Sequence, residues 1–231
     1  MNMLDKFRTS GFTGRLHAAA SPIWNGSLDH PFLKELKEGT LDERKFAFFL
    51  KQDYVYLIYY AKLFALGVQK ADDLPTMEKF AELVHSTLNM EMELHRRLSE
   101  KFGVSREELE NTKPSSVTLA YTHYMYGVAQ NGSLADLTAA LLPCTWSYYE
   151  YGLRFSAIEQ SLEHPLYRDW IMTYASSEFG ELAEWLISLM ERLGSGLPED
   201  RQKKLEEHFV YASRFEHMFW DMAYNEMMWL E

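Results

Sequence analysis

The chain is predicted to fold as an all-α domain. Three observations carry this. Apolar residues recur at helical spacing through nearly every segment, no stretch shows sustained strand alternation between hairpin turns, and the 12 Gly and 7 Pro fall mostly between the long periodic runs. At 231 residues, 47% hydrophobic and 15% aromatic, the chain has enough apolar side chain to bury a substantial core, which excludes disorder. Without an internal repeat, a low-complexity tract or a long linker, residues 1–231 read as one compact domain.

The elements follow from their punctuation. A first helix is expected over about residues 3–25, and a short one after His30-Pro31. A long helix runs from Asp42 to about Lys70 with Phe46, Leu50, Leu57, Ala61 and Phe64 on one face. The next spans Pro75 to about Lys101 with Ala81, Val84, Leu88 and Leu98 inward. After the loop at Asn111–Pro114 comes a helix over about 116–130, which Asn131-Gly132-Ser133 ends. Ser133 with Asp136 three positions on has the form of a cap for the following helix. Pro165 opens a helix to about Leu193, Gly194 to Pro198 break it, and a last helix reaches about Leu230.

The formal charge of −11, from 23 basic and 34 acidic residues, disfavours nucleic acid and anionic membranes as partners. Its densest basic stretch, Arg201, Lys203 and Lys204, runs straight into two glutamates. One cysteine, Cys144, allows neither an internal disulfide nor a cysteine-built zinc cluster. No window has the roughly 18 apolar residues of a membrane span, and residues 1–16 lack the apolar core of a signal peptide. A soluble, cytoplasmic protein is expected.

In an all-α core, function shows where ionisable groups occupy positions that the hydrophobic period assigns to the interior. Asp53 lies three residues after Leu50 and four before Leu57, on the buried stripe of its helix. An unpartnered buried carboxylate costs several kcal/mol; either a neighbouring helix or a polar ligand must satisfy it. Glu216 repeats the pattern in the last helix, within a seam of Leu205, Phe209, Ala212, Phe219, Ala223 and Met227. Its sequence neighbours Arg214 and His217 do not share its helix face. Cys144 lies on a face with Leu137, Ala140, Leu141, Tyr148 and Tyr151. Such a cysteine is either a small buried hydrophobe or, among hydroxyls that stabilise its thiolate, a nucleophile. Glu82 and His85 have the Glu-x-x-His spacing of di-iron bundles, but no second copy exists. Glu91 and His95, one turn apart, are expected to form an ion pair or a supporting hydrogen bond. The Met-rich tail from Met222 to Trp229 reads as core or oligomer contact.

Five blocks then carry a resemblance. They are Ile23-Trp24 with His30-Pro31-Phe32 and Gly39-Thr40-Leu41; residues 49–57 (FLKQDYVYL); 142–148 (LPCTWSY); 174–179 (YASSEF); and 215–220 (FEHMFW). In this order, across nearly the whole chain, they resemble the TenA/thiaminase II family. The resemblance implies a haem-oxygenase-like helical bundle without haem, usually a homotetramer, that hydrolyses the bond between a 4-aminopyrimidine's methylene and its leaving group in thiamine salvage. Position by position it implies Cys144 as nucleophile, Glu216 as acid/base and Asp53 as anchor of the aminopyrimidine edge. It also implies Tyr121 and Tyr148 as hydroxyls near the thiol, Tyr56 and Tyr174 lining the ring, and Phe219 stacking on it. The expected partner is a small aminopyrimidine, with no metal or cofactor. Two alternatives stay open: a non-catalytic pyrimidine-binding or regulatory protein on the same scaffold, and a metal-dependent oxidase sharing the fold.

Overall fold

The computed structural model describes residues 10–229, all of whose regular elements are helical. In chain order these are α1 (Gly11–Leu28), α2 (Pro31–Glu38), α3 (Glu43–Lys70), α4 (Leu74–Ser86), a π-helical turn (Thr87–Glu91) and α5 (Met92–Lys101). Then come α6 (Arg106–Glu110), α7 (Ser116–Asn131), α8 (Leu134–Ser156), a 3₁₀ turn (Glu159–Leu162), α9 (Pro165–Tyr174), α10 (Ser177–Gly194) and α11 (Glu199–Tyr224).

Helix starts follow local chemistry. Asp42, Asp73, Ser115 and Ser176 each accept a main-chain N–H from the first turn they precede, so orphan donors are satisfied where the sequence offers a short polar side chain. At α8 the pairing is reciprocal: the Ser133 N–H donates to Asp136 Oδ2 at 2.8 Å and the Asp136 N–H to Ser133 Oγ at 3.4 Å. Ser10 does not cap α1 with its side chain. Glu191 of α10 does so instead, accepting from the N–H groups of Phe12 and Thr13 at 3.1 and 2.7 Å.

The chain divides into two compact units, each assembled from separated segments. Unit 1 holds residues up to Thr40 and Thr138–His217; unit 2 holds Leu41–Leu137 and the residues from Met218 onward. In unit 1, Trp24 of α1, Trp146 of α8 and Phe209 of α11 meet pairwise with ring centroids 5.8–6.1 Å apart. Trp24 Nε1 donates to Ser213 Oγ at 3.1 Å. In unit 2, α3 packs on α4, the π turn, α5 and α7, and Phe49 stacks on Trp220 at 5.4 Å.

The structure corrects several expectations. The first helix begins at Gly11, and the part expected over residues 3–9 lies outside the described residues. The helix expected to run unbroken from Pro165 stops at Tyr174 and restarts at Ser177, because Ser176 turns its Oγ onto the Phe179 N–H. A short helix, α6, precedes the loop at Asn111–Pro114. The last helix ends at Tyr224, with Glu226 left-handed at φ 50°; Leu230 lies outside the described residues. Beyond it the Met228 carbonyl accepts from the Ser116 N–H at 3.1 Å, and Trp229 Nε1 donates to the Pro114 carbonyl at 3.1 Å. Met227 therefore leaves the seam for the surface. The inward face of α4 is Thr76, Phe80 and Leu83, not Ala81 and Leu88, which are exposed. The π turn that follows contains one residue more per turn than an α-helix. It rotates α5 so that Met92, His95 and Leu98 face inward.

Candidate functional site

Unit 1 carries Cys144, Tyr148, Tyr174 and Glu216. From Leu134 to Gly152 every residue of α8 is buried except Cys144. The residue before it, Pro143, has no N–H to give to the preceding turn. Cys144 is thus the one partly exposed residue between Leu134 and Gly152. Tyr148 and Tyr151 follow on the same face, one and two turns along. Tyr148 meets Tyr174 edge-on with centroids 4.9 Å apart, and Trp170 and Phe179 flank Tyr174 at 4.7 and 4.9 Å. The position of Tyr174 has a backbone cause. A Cβ on Gly152 would come within 2.6 Å of the Tyr174 carbonyl carbon, so glycine lets α8 lie against the break between α9 and α10.

Glu216 is 2% exposed. It lies close enough to Tyr151 for its charge to act on the phenol, whose pKa burial pushes well up and the charges of Glu216 and Glu150 raise further. Ser27 and Ser147, hydrogen-bonding partners of Tyr151, pull the other way without reversing the shift. Tyr151 is therefore a neutral phenol at every physiological pH. Sequence reasoning placed it beside the cysteine and missed it as the neighbour of Glu216.

Unit 2 carries Asp53, Tyr56, Tyr121 and Phe219. Tyr56 is the hub: its ring lies 5.3 Å from Tyr121, 6.0 Å from Phe219 and 5.4 Å from Tyr60, which stacks on it. Its hydroxyl donates to the Met125 sulfur at 3.8 Å. Next to it in α3, Gln52 accepts from the Ser115 N–H and from Thr118 Oγ1, both at 2.8 Å, which ties the start of α7 to α3.

Asp53, 5% exposed, accepts from His95 Nε2 through Oδ2 at 2.6 Å. The other ring nitrogen of His95 donates to the Glu91 carbonyl at 3.0 Å. Burial by itself would lower the His95 pKa; the bond to Asp53 and the charges of Asp53 and Glu91 outweigh it and leave the imidazole above its ordinary value. Burial raises the Glu91 carboxyl, and Asp53 adds to that rise. The expected supporting bond between Glu91 and His95 thus exists through the main chain, while the main partner of His95 is Asp53, a pairing that sequence reasoning missed.

Other candidates resolve simply. Glu82 is exposed and pairs with Lys79 at 3.0 Å, and His85 meets the Asn89 side chain at 3.2 Å. Among the described residues, no group of three or more His, Cys, Asp and Glu side chains is arranged to hold a metal ion. None of their helices is long and apolar enough to cross a membrane.

Comparison with known proteins places this arrangement. An aminopyrimidine aminohydrolase of Halalkalibacterium halodurans is 53% identical over 218 residues, 94% of this chain and 97% of that one. The solved structure of a TenA homologue from P. horikoshii superposes with a TM-score of 0.85 at 29% identity, covering 94% of this chain and 99% of the other. A Shewanella denitrificans domain described as having a heme oxygenase-like fold matches at a TM-score of 0.72 and 17% identity, over 92% of each chain, which establishes the fold alone. The model of the TENA/THI-4/PQQC family matches residues 17–226, so it runs through both units, and the chain belongs to that family.

Proposed function

We propose that this chain is a hydrolase of thiamine salvage that converts 4-amino-5-aminomethyl-2-methylpyrimidine, thiamine itself, or both, to 4-amino-5-hydroxymethyl-2-methylpyrimidine. The observation that carries the proposal is the 53% identity, over nearly the full length of both chains, to a relative named for aminopyrimidine hydrolysis. The partial exposure of Cys144, where every other residue from Leu134 to Gly152 is buried, supports the chemistry.

The thiolate of Cys144 adds to a ring carbon of the pyrimidine, and the ring loses its aromaticity. The ring electrons then expel the group on the exocyclic methylene, ammonia in the first case and the thiazole in the second. Water adds to the methylene and its proton goes to Glu216; the carbon–sulfur bond then breaks as the ring nitrogen gives its added proton to solvent, which restores the ring and the thiolate. Glu216 protonates a ring nitrogen in the addition step, the part of a general acid. Asp53 accepts from the exocyclic amine. On the family resemblance, Tyr121 and Tyr148 supply hydroxyls to the chemistry of the thiol. Tyr56, Tyr174 and Phe219 wall the flat ring, where stacking adds about 0.5–1.5 kcal/mol beyond area burial. The chain is taken to act as a single domain, as a family match running through both units supports, and as a cytoplasmic homotetramer, on the family resemblance.

Substitution of Cys144 tests the reading. Cys144→Ser and Cys144→Ala are expected to abolish release of ammonia from the aminomethylpyrimidine, with an unchanged far-ultraviolet circular dichroism spectrum. Retained turnover overturns the assignment of the nucleophile. Binding without turnover by the wild type supports the regulatory alternative.

A further inference from the structure

The bond between Asp53 and His95 is built with care that simple core packing does not require. The polar stripe of α4 and α5 reaches Asp53 only because the π turn at Thr87–Glu91 inserts one residue. In an uninterrupted α-helix, the inward positions after Thr76, Phe80, Leu83 and Thr87 would continue through Leu94; with the π turn, His95 takes the buried place and Leu94 the intermediate one. Single π turns are kept at functional sites more often than elsewhere.

Both ring nitrogens of His95 face acceptors. The Glu91 carbonyl cannot donate, so Nδ1 carries a hydrogen. One more proton then lies between Nε2 and Asp53 Oδ2. The bond to Asp53 helps hold the imidazole above its ordinary value, which favours that proton on the ring. Asp53 Oδ1 receives no hydrogen bond from the described residues, so the pair presents one carboxyl oxygen without a donor among them. The charged or titratable groups facing His95 are Asp53 from α3 and Glu91 from the π turn. Arg96, next along α5, turns its guanidinium to Tyr54 at 2.8 Å and to Glu93 at 3.3 Å, and Glu110 of α6 approaches that guanidinium rather than the imidazole.

We propose that His95 is the positioning residue of Asp53: held by the π turn, it carries the proton of the pair, fixes the carboxyl group through Oδ2, and leaves Oδ1 as an acceptor for the amine of an aminopyrimidine. This deepens the function proposed above and rests on it. Hydrogen bonds with an ionised partner are roughly twice as strong as neutral ones, so a charged imidazole holds the carboxyl group in place more firmly than a neutral ring.

The experiment is the pH profile of kcat/KM for His95→Gln against wild type. Glutamine keeps an N–H donor for Asp53 and cannot hold the extra proton. The charged donor beside Asp53 is then absent at every pH. Below the pH at which the wild-type imidazole gives up its extra proton, kcat/KM of the variant is expected to lie about tenfold under wild type. The loss should appear as raised KM, with kcat within about threefold of wild type, and should close at alkaline pH, where the wild-type ring is neutral as well. A loss of equal size at every pH, or no loss, overturns the inference alone. A wild type without turnover overturns the functional reading and this inference with it. Should His95→Gln fail to fold, nitrogen NMR of imidazole-labelled wild type decides: both His95 nitrogens protonated at pH 7.5 supports the pair, and a singly protonated ring overturns it.

Discussion

Glu216 is buried in the seam between Ala212 and Phe219, and its charge acts on the phenol of Tyr151, which burial holds neutral. Glu216→Gln keeps the shape and a hydrogen-bonding amide and removes only the movable proton. General acid–base groups contribute about 10²–10⁴ in rate, and the variant is expected to lose turnover of the aminomethylpyrimidine in that range while its melting temperature stays close to wild type. Turnover within about threefold of wild type, measured as ammonia release, would remove Glu216 from proton transfer. The residue was legible because its position breaks a helical period. So was Asp53. His95 was not, because the imidazole that satisfies Asp53 lies 42 positions away in sequence and reaches it only after a π turn that no spacing rule marks.

At the scale of elements, long helices with polar caps were readable because each such cap is a local hydrogen bond between residues two or three apart. Ser133 and Asp136 form the expected pair. What escaped were the places where a helix is interrupted by packing or by a side chain acting on its own backbone: the π turn, the break at Ser176 and the early end of α11. The break at Ser176 has a mechanical partner in Gly152, whose missing side chain admits the Tyr174–Ala175 backbone. A methyl there would lie 2.6–2.8 Å from backbone atoms, which move less readily than the end of a side chain. Gly152→Ala should therefore cost about 1–3 kcal/mol, the range for overpacking a core, and displace Tyr174 from its 4.9 Å contact with Tyr148. The expected reading is a lowered denaturation midpoint together with raised KM. A variant as stable and as active as wild type would show that α8 and the α9–α10 break adjust at no cost.

Over the whole molecule, each unit is made of segments that leave and return, so neither is a contiguous stretch of chain. Unit 2 is closed by the residues after His217, and that ending is more than an appendage. Trp220, Met222 and Ala223 are fully buried and Phe219 nearly so, with Phe49 packed on Phe219 and Trp220. Losing a buried Phe or Trp side chain costs about 3–5 kcal/mol, against a total stability of about 5–15 kcal/mol for a typical domain. A chain ending at His217 loses two such aromatics and a buried Met together, which is enough to unfold unit 2. A chain ending at Asn225 keeps all three. It loses the Ser116 bonds to the Met228 carbonyl and the Trp229 bond to Pro114, which are exposed or part of the tail's own surface. Each such bond contributes about 0.5–1.5 kcal/mol net. The longer truncation product is thus expected to melt cooperatively a few degrees below the full chain, and the shorter one to lose its cooperative transition and its near-ultraviolet dichroism. Equal melting of the two products would mean that the aromatic closure after His217 adds nothing to unit 2, and that the stacking of Phe49 on Trp220 is dispensable.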